Sequence, residues 1–300
     1  MGRLDGRVVV ITGAGRGIGA SLARIMAREG AAVVVNDLGG NVDGSGRDQA
    51  PANEVVAQIR QSGGRAVATF GDVAAAADAE NLIETALKEF GRLDVLITTA
   101  GILRDRMIFN TTEAEWDDII RVHLRGTFLP TRAAAIHWRQ AREGHYRLIT
   151  FTSGSGLHGS PGQANYAAAK MGIVGFTWSC ANALARYGVT ANSIAPEAAT
   201  RLGADTPFGG REEDPERSPD NIAPPLVYLA SKESDWLTGR VIGVRGYEIN
   251  LYNNPTVVRG LRSPVPWSID ACCEQMERSF RPVVEGGLEM RWPGLEDQKV

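Results

Sequence analysis

The stretch VVVITGAGRGIGASLARIM, residues 8–26, decides the fold. Val8 to Thr12 is β-branched throughout, the pattern of a strand buried on both faces. Gly13, Gly15, Gly17 and Gly19 follow, and beyond them apolar residues recur three and four apart, as on an amphipathic helix. A strand that passes through a glycine turn into a helix opens a βαβ unit. The turn also has a chemical consequence. Without Cβ atoms the backbone can approach a pyrophosphate, and the helix start behind it offers free N–H groups and a favourable dipole. Two registers are available: Gly15-x-Gly17-x-x-Ala20 fits the Rossmann dinucleotide fingerprint, and Gly13-x-x-x-Gly17-x-Gly19 fits a wider-spaced variant. Both imply the same ligand.

The same rhythm continues outward. Short β-branched runs at 7–12, 31–37, 65–72, 93–100, 146–153, 189–196 and 240–246 alternate with alanine-rich segments of helical period. Apolar strands separated by helices predict an α/β fold, a doubly wound parallel sheet of about seven strands with helices on both faces. Residues 1–250 read as a single domain, and 251–300 as a C-terminal extension that packs on this domain or on a neighbouring subunit. Two segments interrupt the pattern. Residues 38–51, LGGNVDGSGRDQAP, are expected as an exposed excursion after the second strand, and residues 197–220 as a mobile loop after the sixth.

Composition excludes several classes. A formal charge of −3 gives no basic surface for nucleic acid. The four histidines are scattered, and Cys180, Cys272 and Cys273 lack any metal-ligand spacing, so no metal is expected and the cysteines read as reduced, mostly buried thiols. No apolar run approaches the ~20 residues that span a bilayer, and the opening MGRLDGR lacks a signal-peptide layout. A cytoplasmic protein without membrane insertion is expected.

Candidate site residues fall at strand ends. Asp37, closing the second strand, can accept hydrogen bonds from both adenosine ribose hydroxyls and repel a 2′-phosphate, which argues for NAD. Arg16 pulls the other way, since a cation there could pair with that phosphate. Asp72, after the third strand, reads as an adenine-edge contact or a helix N-cap. Tyr166 and Lys170 share one face of a predicted helix, and Ser153 ends the fifth strand thirteen residues before the tyrosine. An ammonium beside a phenol is expected to lower its pKa from ~10 toward neutrality, making it a proton donor or acceptor for an alcohol or a carbonyl oxygen.

These motifs together, TGAGRGIG, TTAG at 98–101, the Ser153/Tyr166/Lys170 set and the NSIAP strand, resemble the short-chain dehydrogenase/reductase family over about residues 5–250. The resemblance implies that Ser153, Tyr166 and Lys170 are catalytic, with Tyr166 and Lys170 also binding the cofactor, Lys170 at the nicotinamide ribose. It places Gly13, Arg16, Gly17, Ile18 and Gly19 around the pyrophosphate, Asp37, Asp72 and Val73 around the adenosine, and Ala100, Gly101 and Pro196 toward the nicotinamide. Two positions depart from the family pattern: Thr98-Thr99 stand where it usually has two asparagines, and His123 where it usually has an asparagine that holds a water in a proton relay. His123 is carried here as a candidate for that relay.

A narrower likeness is to the 3-hydroxyacyl-CoA dehydrogenase domain of the peroxisomal multifunctional enzyme of β-oxidation, carried by VVVNDLGG, GILRDRMI, RVHLRGTF and GQANYAAAK. It implies an NAD-dependent oxidoreductase of lipid metabolism acting on a secondary alcohol, a 3-hydroxyacyl-CoA or another bulky hydroxyl compound such as a steroid. The wider family resemblance implies a homodimer or homotetramer. Arg104, Arg106, Arg121 and Arg125 are candidates for CoA phosphates, or for solvated helix faces and subunit contacts. The competing readings are an NADPH-dependent 3-oxoacyl reductase and a non-catalytic dinucleotide-sensing protein.

Overall fold

Seven β-branched segments pair side by side in a computed structural model that describes residues 2–142, 144–199 and 214–285. They are β1 (Val8–Thr12), β2 (Ala32–Asn36), β3 (Arg65–Thr69), β4 (Val95–Thr98), β5 (Tyr146–Phe151), β6 (Val189–Glu197) and β7 (Val241–Arg245). All are parallel, in the order β3-β2-β1-β4-β5-β6-β7. An eighth strand, β8 (Glu248–Tyr252), adds antiparallel to the β7 edge. It was absent from the sequence expectation. Gly246, with φ 53°, takes the first position of the two-residue turn between Arg245 and Glu248, where a positive φ suits the hairpin.

Because successive side chains of a strand point to opposite faces, the sheet feeds two apolar layers. Val9, Ile11, Val33, Val35, Ile97 and Ile149 face one side. There they meet Leu22 and Met26 of α1 (Gly17–Arg28), Val55 and Ile59 of α2 (Ala50–Gln61) and, further along the chain, Leu226. Val8, Val10, Val34, Leu96 and Leu148 face the other side, against Leu82 and Ile83 of α3 (Ala76–Phe90) and, later in the chain, Trp138. Burial on both faces explains why the strands carry no polar alternation.

The remaining helices of this unit are α4 (Glu113–Ile119), α5 (Gly126–Ala141), α6 (Gly154–His158), α7 (Ala164–Leu184) and α8 (Ala223–Ala230). Trp138 belongs to α5 and Leu226 to α8. A π-helical segment, Ile120–Arg125, joins α4 to α5. The chain leaves β1 toward β2 and β3, then returns to place β4 on the other side of β1. That reversal opens a crevice at the carboxyl ends of β1 and β4, where open α/β sheets hold their ligands.

Contacts divide the chain into two units, Met1–Tyr252 and Asn253–Val300. In the second, α9 (Ile269–Ser279) starts at Ser268, whose side chain accepts from Ala271 N–H, and α10 (Arg281–Glu285) follows. All three cysteines are free; Cys180 and Cys272 are half-buried and Cys273 is exposed, so the expectation of mostly buried thiols is not met. Among the described residues no helix is long and apolar enough to cross a membrane, and no His, Cys, Asp and Glu group could hold a metal ion.

Candidate active site

One pocket at the crevice is lined by Gly13, Arg16, Gly17, Ile18, Gly19, Asp37, Asp72, Val73, Ala100, Gly101, Tyr166, Lys170 and Pro196. These are the residues that sequence assigned to a dinucleotide, and the fold brings all of them together. The span from the end of β2 to the end of β5 is three strand spacings, roughly 14 Å. A molecule lying along it would touch Asp37 at one side and the α7 residues at the other.

The glycine turn fits a pyrophosphate. Gly13 has φ +63°, and a Cβ there would stand 2.7 Å from the Ala100 Cα, so β1 and β4 close up only around glycine. Arg16 precedes α1 with an extended backbone and gives the helix no side-chain cap, and the first turn holds no acidic residue. Its N–H groups therefore face the pocket without a side chain that competes for them.

Asp37 is held at both oxygens, by Gly15 N–H at 2.7 Å and by Gly39 N–H at 2.7 Å. Each carboxylate oxygen keeps a lone pair for a ribose hydroxyl. Arg16 turns toward the Gly40 carbonyl at 3.3 Å. Asp72 accepts from Ala74 N–H at 2.9 Å and from Arg121 Nη1 at 2.7 Å. It is not the cap of α3, which is Ala75, so the N-cap reading of Asp72 falls.

Sequence reasoning missed the part played by the excursion after β2. Gly40, Asn41, Val42 and Gly44 form a wall of the pocket instead of projecting away from it. The signal was present in the glycines that follow Asp37 directly, since they permit close approach. What a single sequence cannot supply is the partner surface, Ile102 to Arg104, which lies sixty residues away.

At the other side, Ser153 sits two residues beyond β5 and caps α6, its Oγ accepting from Gly156 N–H at 3.0 Å. Gly156 is required there, because a Cβ would stand 2.7 Å from Lys170 Cβ. Lys170 is buried, and its Nζ donates to the Phe151 carbonyl at 2.9 Å and lies 5.4 Å from the Tyr166 ring centroid. Burial pushes the Lys170 ammonium down to about 7. Burial also pushes the Tyr166 phenol up to about 12, against hydrogen bonding to Ser153, while the charge of Asp105 adds to the rise. The expected drop in the tyrosine pKa is therefore not a property of these side chains alone. The lysine aims at a backbone carbonyl, and desolvation of the phenol outweighs its hydrogen bond with Ser153.

His123 lies in the π-helical segment, edge-on to Tyr166 with ring centroids 5.1 Å apart. Its Nε2 lies 2.8 Å from the Ile102 carbonyl oxygen and 3.1 Å from the Ile102 nitrogen. Nδ1 is buried without a protein partner among the described residues. Burial, with the Lys170 charge, pushes the ring down to about 3, so His123 is neutral. Gly101 exists to admit this ring, since a Cβ would overlap His123 Cε1. At the other departure, Thr99 Oγ1 donates to the Thr12 carbonyl, tying β4 to β1.

The four candidate arginines have partners within the chain. Arg104 pairs with Asp118 at 3.3 Å, Arg106 with Glu115 at 2.8 Å and Arg121 with Asp72, while Arg125 Nε donates to the Ala74 carbonyl at 3.0 Å. His158 packs beside Tyr252 of β8, ring centroids 6.0 Å apart. Of the expected loop at 197–220, residues 200–213 lie outside the described residues.

A family model described as short chain dehydrogenase matches residues 7–201. A hydroxyacyl-CoA dehydrogenase of Mycobacterium tuberculosis is 42% identical over 85% of this chain and 82% of its own length. The peroxisomal multifunctional enzyme type 2 of mouse is 47% identical over 67% of this chain, which spans 26% of that longer protein. The crystal structure of a short chain dehydrogenase from Mycobacterium avium superposes with a TM-score of 0.80 at 41% identity, covering 97% of this chain and 98% of that one. The chain belongs to the short-chain dehydrogenase family, whose members are oxidoreductases that bind nicotinamide dinucleotides.

Proposed function

We propose that this chain is an NAD-dependent dehydrogenase that interconverts a secondary alcohol and a ketone, with a 3-hydroxyacyl-CoA as substrate. One observation carries the reading: a single pocket joins the Asp37 carboxylate to Tyr166 and Lys170. Gly13, Gly17 and Gly19 with the start of α1 would hold the pyrophosphate, Asp37 the adenosine ribose, and Lys170 the nicotinamide ribose. When bound, the dinucleotide supplies the hydride acceptor or donor and, in its oxidised form, a positive ring.

The protein's own residues manage the proton. Tyr166 Oη takes it from the alcohol oxygen in one direction and returns it to the ketone oxygen in the other. A phenol pushed up to about 12 holds its proton tightly, and positive charge beside it would favour release of that proton. Ser153 Oγ accepts from Gly156 N–H and is hydrogen bonded to Tyr166, so its hydroxyl stands where it can donate to the same substrate oxygen that Tyr166 serves. His123, neutral and with Nδ1 unpartnered, is suited to hold a water in a relay leading from Lys170. The Asp37 carboxylate supports NAD over NADP, because a 2′-phosphate would meet a fixed negative charge. The acyl-CoA assignment draws on the mycobacterial relative named for that activity.

A screen of dinucleotide reduction over 3-hydroxyacyl-CoAs, hydroxysteroids and simple secondary alcohols tests this reading. The expected result is NAD reduction with a 3-hydroxyacyl-CoA as the best substrate. A strong preference for the phosphorylated dinucleotide would overturn the Asp37 argument and favour a 3-oxoacyl reductase.

A further inference from the structure

The excursion after β2 is fastened into a strap. Its neck closes where Asp48 N–H donates to the Leu38 carbonyl at 3.2 Å, and its tip where Asn41 N–H donates to the Ser45 carbonyl at 2.7 Å. Its pocket face, with Gly40, Val42 and Gly44, continues from the Asp37 carboxylate. Besides the Arg16 contact at Gly40, it reaches the segment after β4. The Val42 carbonyl accepts from Leu103 N–H at 3.1 Å, and Asp43 lies 3.8 Å from Arg104.

That segment is in turn fastened to the start of the catalytic helix. Arg106 N–H donates to the Gly162 carbonyl at 2.7 Å, and the Arg104 carbonyl accepts from Asn165 Nδ2 at 3.3 Å. Asn165 Oδ1 accepts from Tyr166 N–H at 2.7 Å. Gln163, which precedes α7, provides no side-chain cap, so Asn165 satisfies a first-turn N–H that would otherwise lack a partner. Asn165 is 1% exposed, and only an amide of its length can donate to one backbone and accept from the other.

We propose that Asn165 is a positioning residue that ties the placement of Tyr166 to occupancy of the adenosine side of the pocket, through the strap and Leu103–Arg104. The proposal rests on the dinucleotide reading above. Ligand against Asp37 and the strap fixes the Val42 carbonyl, which fixes Leu103, and Asn165 passes that order to the backbone of Tyr166. The enzyme would then assemble its proton donor only when the dinucleotide is in place.

ADP-ribose is the probe, because it fills the adenosine and pyrophosphate positions but lacks the nicotinamide. Its binding is read by calorimetry, and amide hydrogen exchange is followed with and without it. The expected result in the wild-type chain is slowing of the Leu103 and Tyr166 amides by about fivefold or more, the size of ordinary coupling between sites. In Asn165→Asp, which keeps the acceptor and loses the donor, ADP-ribose should still bind and still slow Leu103. Tyr166 should no longer respond, and kcat should fall while KM for the dinucleotide stays.

Binding of ADP-ribose without any change at Tyr166 in the wild type would overturn the proposal, as would an undiminished Tyr166 response in the variant. Should the variant not fold, the wild-type exchange decides. No binding of ADP-ribose at all would overturn the dinucleotide reading itself, and this proposal with it.

Discussion

Half-buried Tyr166 and fully buried His123 share one corner of the pocket wall, and desolvation acts on both by disfavouring charge. For the phenol this means a proton held up to about 12, and for the imidazole a ring that stays neutral down to about 3. The second shift has a consequence for stability. Between its ordinary value of 6.5 and about 3, the unfolded chain binds a proton at His123 that the folded chain refuses. Stability contributed by this site is present above that window and lost as the pH falls through it. His123→Gln removes the titration, so its unfolding free energy should decline less steeply than the wild type's between those pH values. Denaturant titrations at a series of pH values check this, and parallel curves would refute it. The identities of His123 and Tyr166 were plain in the sequence. Their electrostatics were not, because desolvation depends on neighbours such as Ile102 and Phe151 that come from other elements.

The elements around the site were legible in proportion to how local their causes are. Strands β1 to β7 came from β-branched runs, and α1 from its apolar spacing, because burial on both faces leaves that pattern in the chain itself. The β8 strand also left a pattern: Ile249 and Leu251 alternate with polar residues after a glycine turn. The pattern is weak as a strand signal because β8 lies on the sheet edge with those side chains exposed, so no core demands it. The strap escaped for a different reason, since its fastening to Leu103 is a backbone bond with no side-chain signature. The junction of β4 with the π-helical segment offers a test of packing at this scale. Gly101→Ala would drive a methyl into the His123 ring, and overpacking of this kind costs about 1–3 kcal/mol. Chemical denaturation should show that loss, with turnover reduced as His123 is displaced. A variant as stable and active as the wild type would show that the ring moves aside without cost.

For the whole molecule, the arrangement of eight strands matters because of the single reversal at β1 and β4. It collects at one edge the ends of β1, β2, β4 and β5, and so brings residues 13 and 170 to one pocket. No local stretch specifies that meeting, yet the order of motifs along the chain implied it once a parallel, right-handed winding was assumed. Substrate identity was less legible, since the faces that would touch it include residues 102–110 and 154–163, whose shape depends on contacts between distant segments. On the reading proposed above, Tyr166 moves the proton in a dinucleotide-dependent oxidation while the glycine turn, Asp37 and Lys170 carry most of the dinucleotide binding. The most direct test compares the wild type with Tyr166→Phe, measuring kcat for NAD reduction by the best 3-hydroxyacyl-CoA and NAD affinity on the same preparations. In the phenylalanine variant kcat should fall by about 10²–10⁴-fold, the usual worth of a positioned acid/base, with NAD affinity nearly unchanged. Normal turnover in the phenylalanine variant would contradict it.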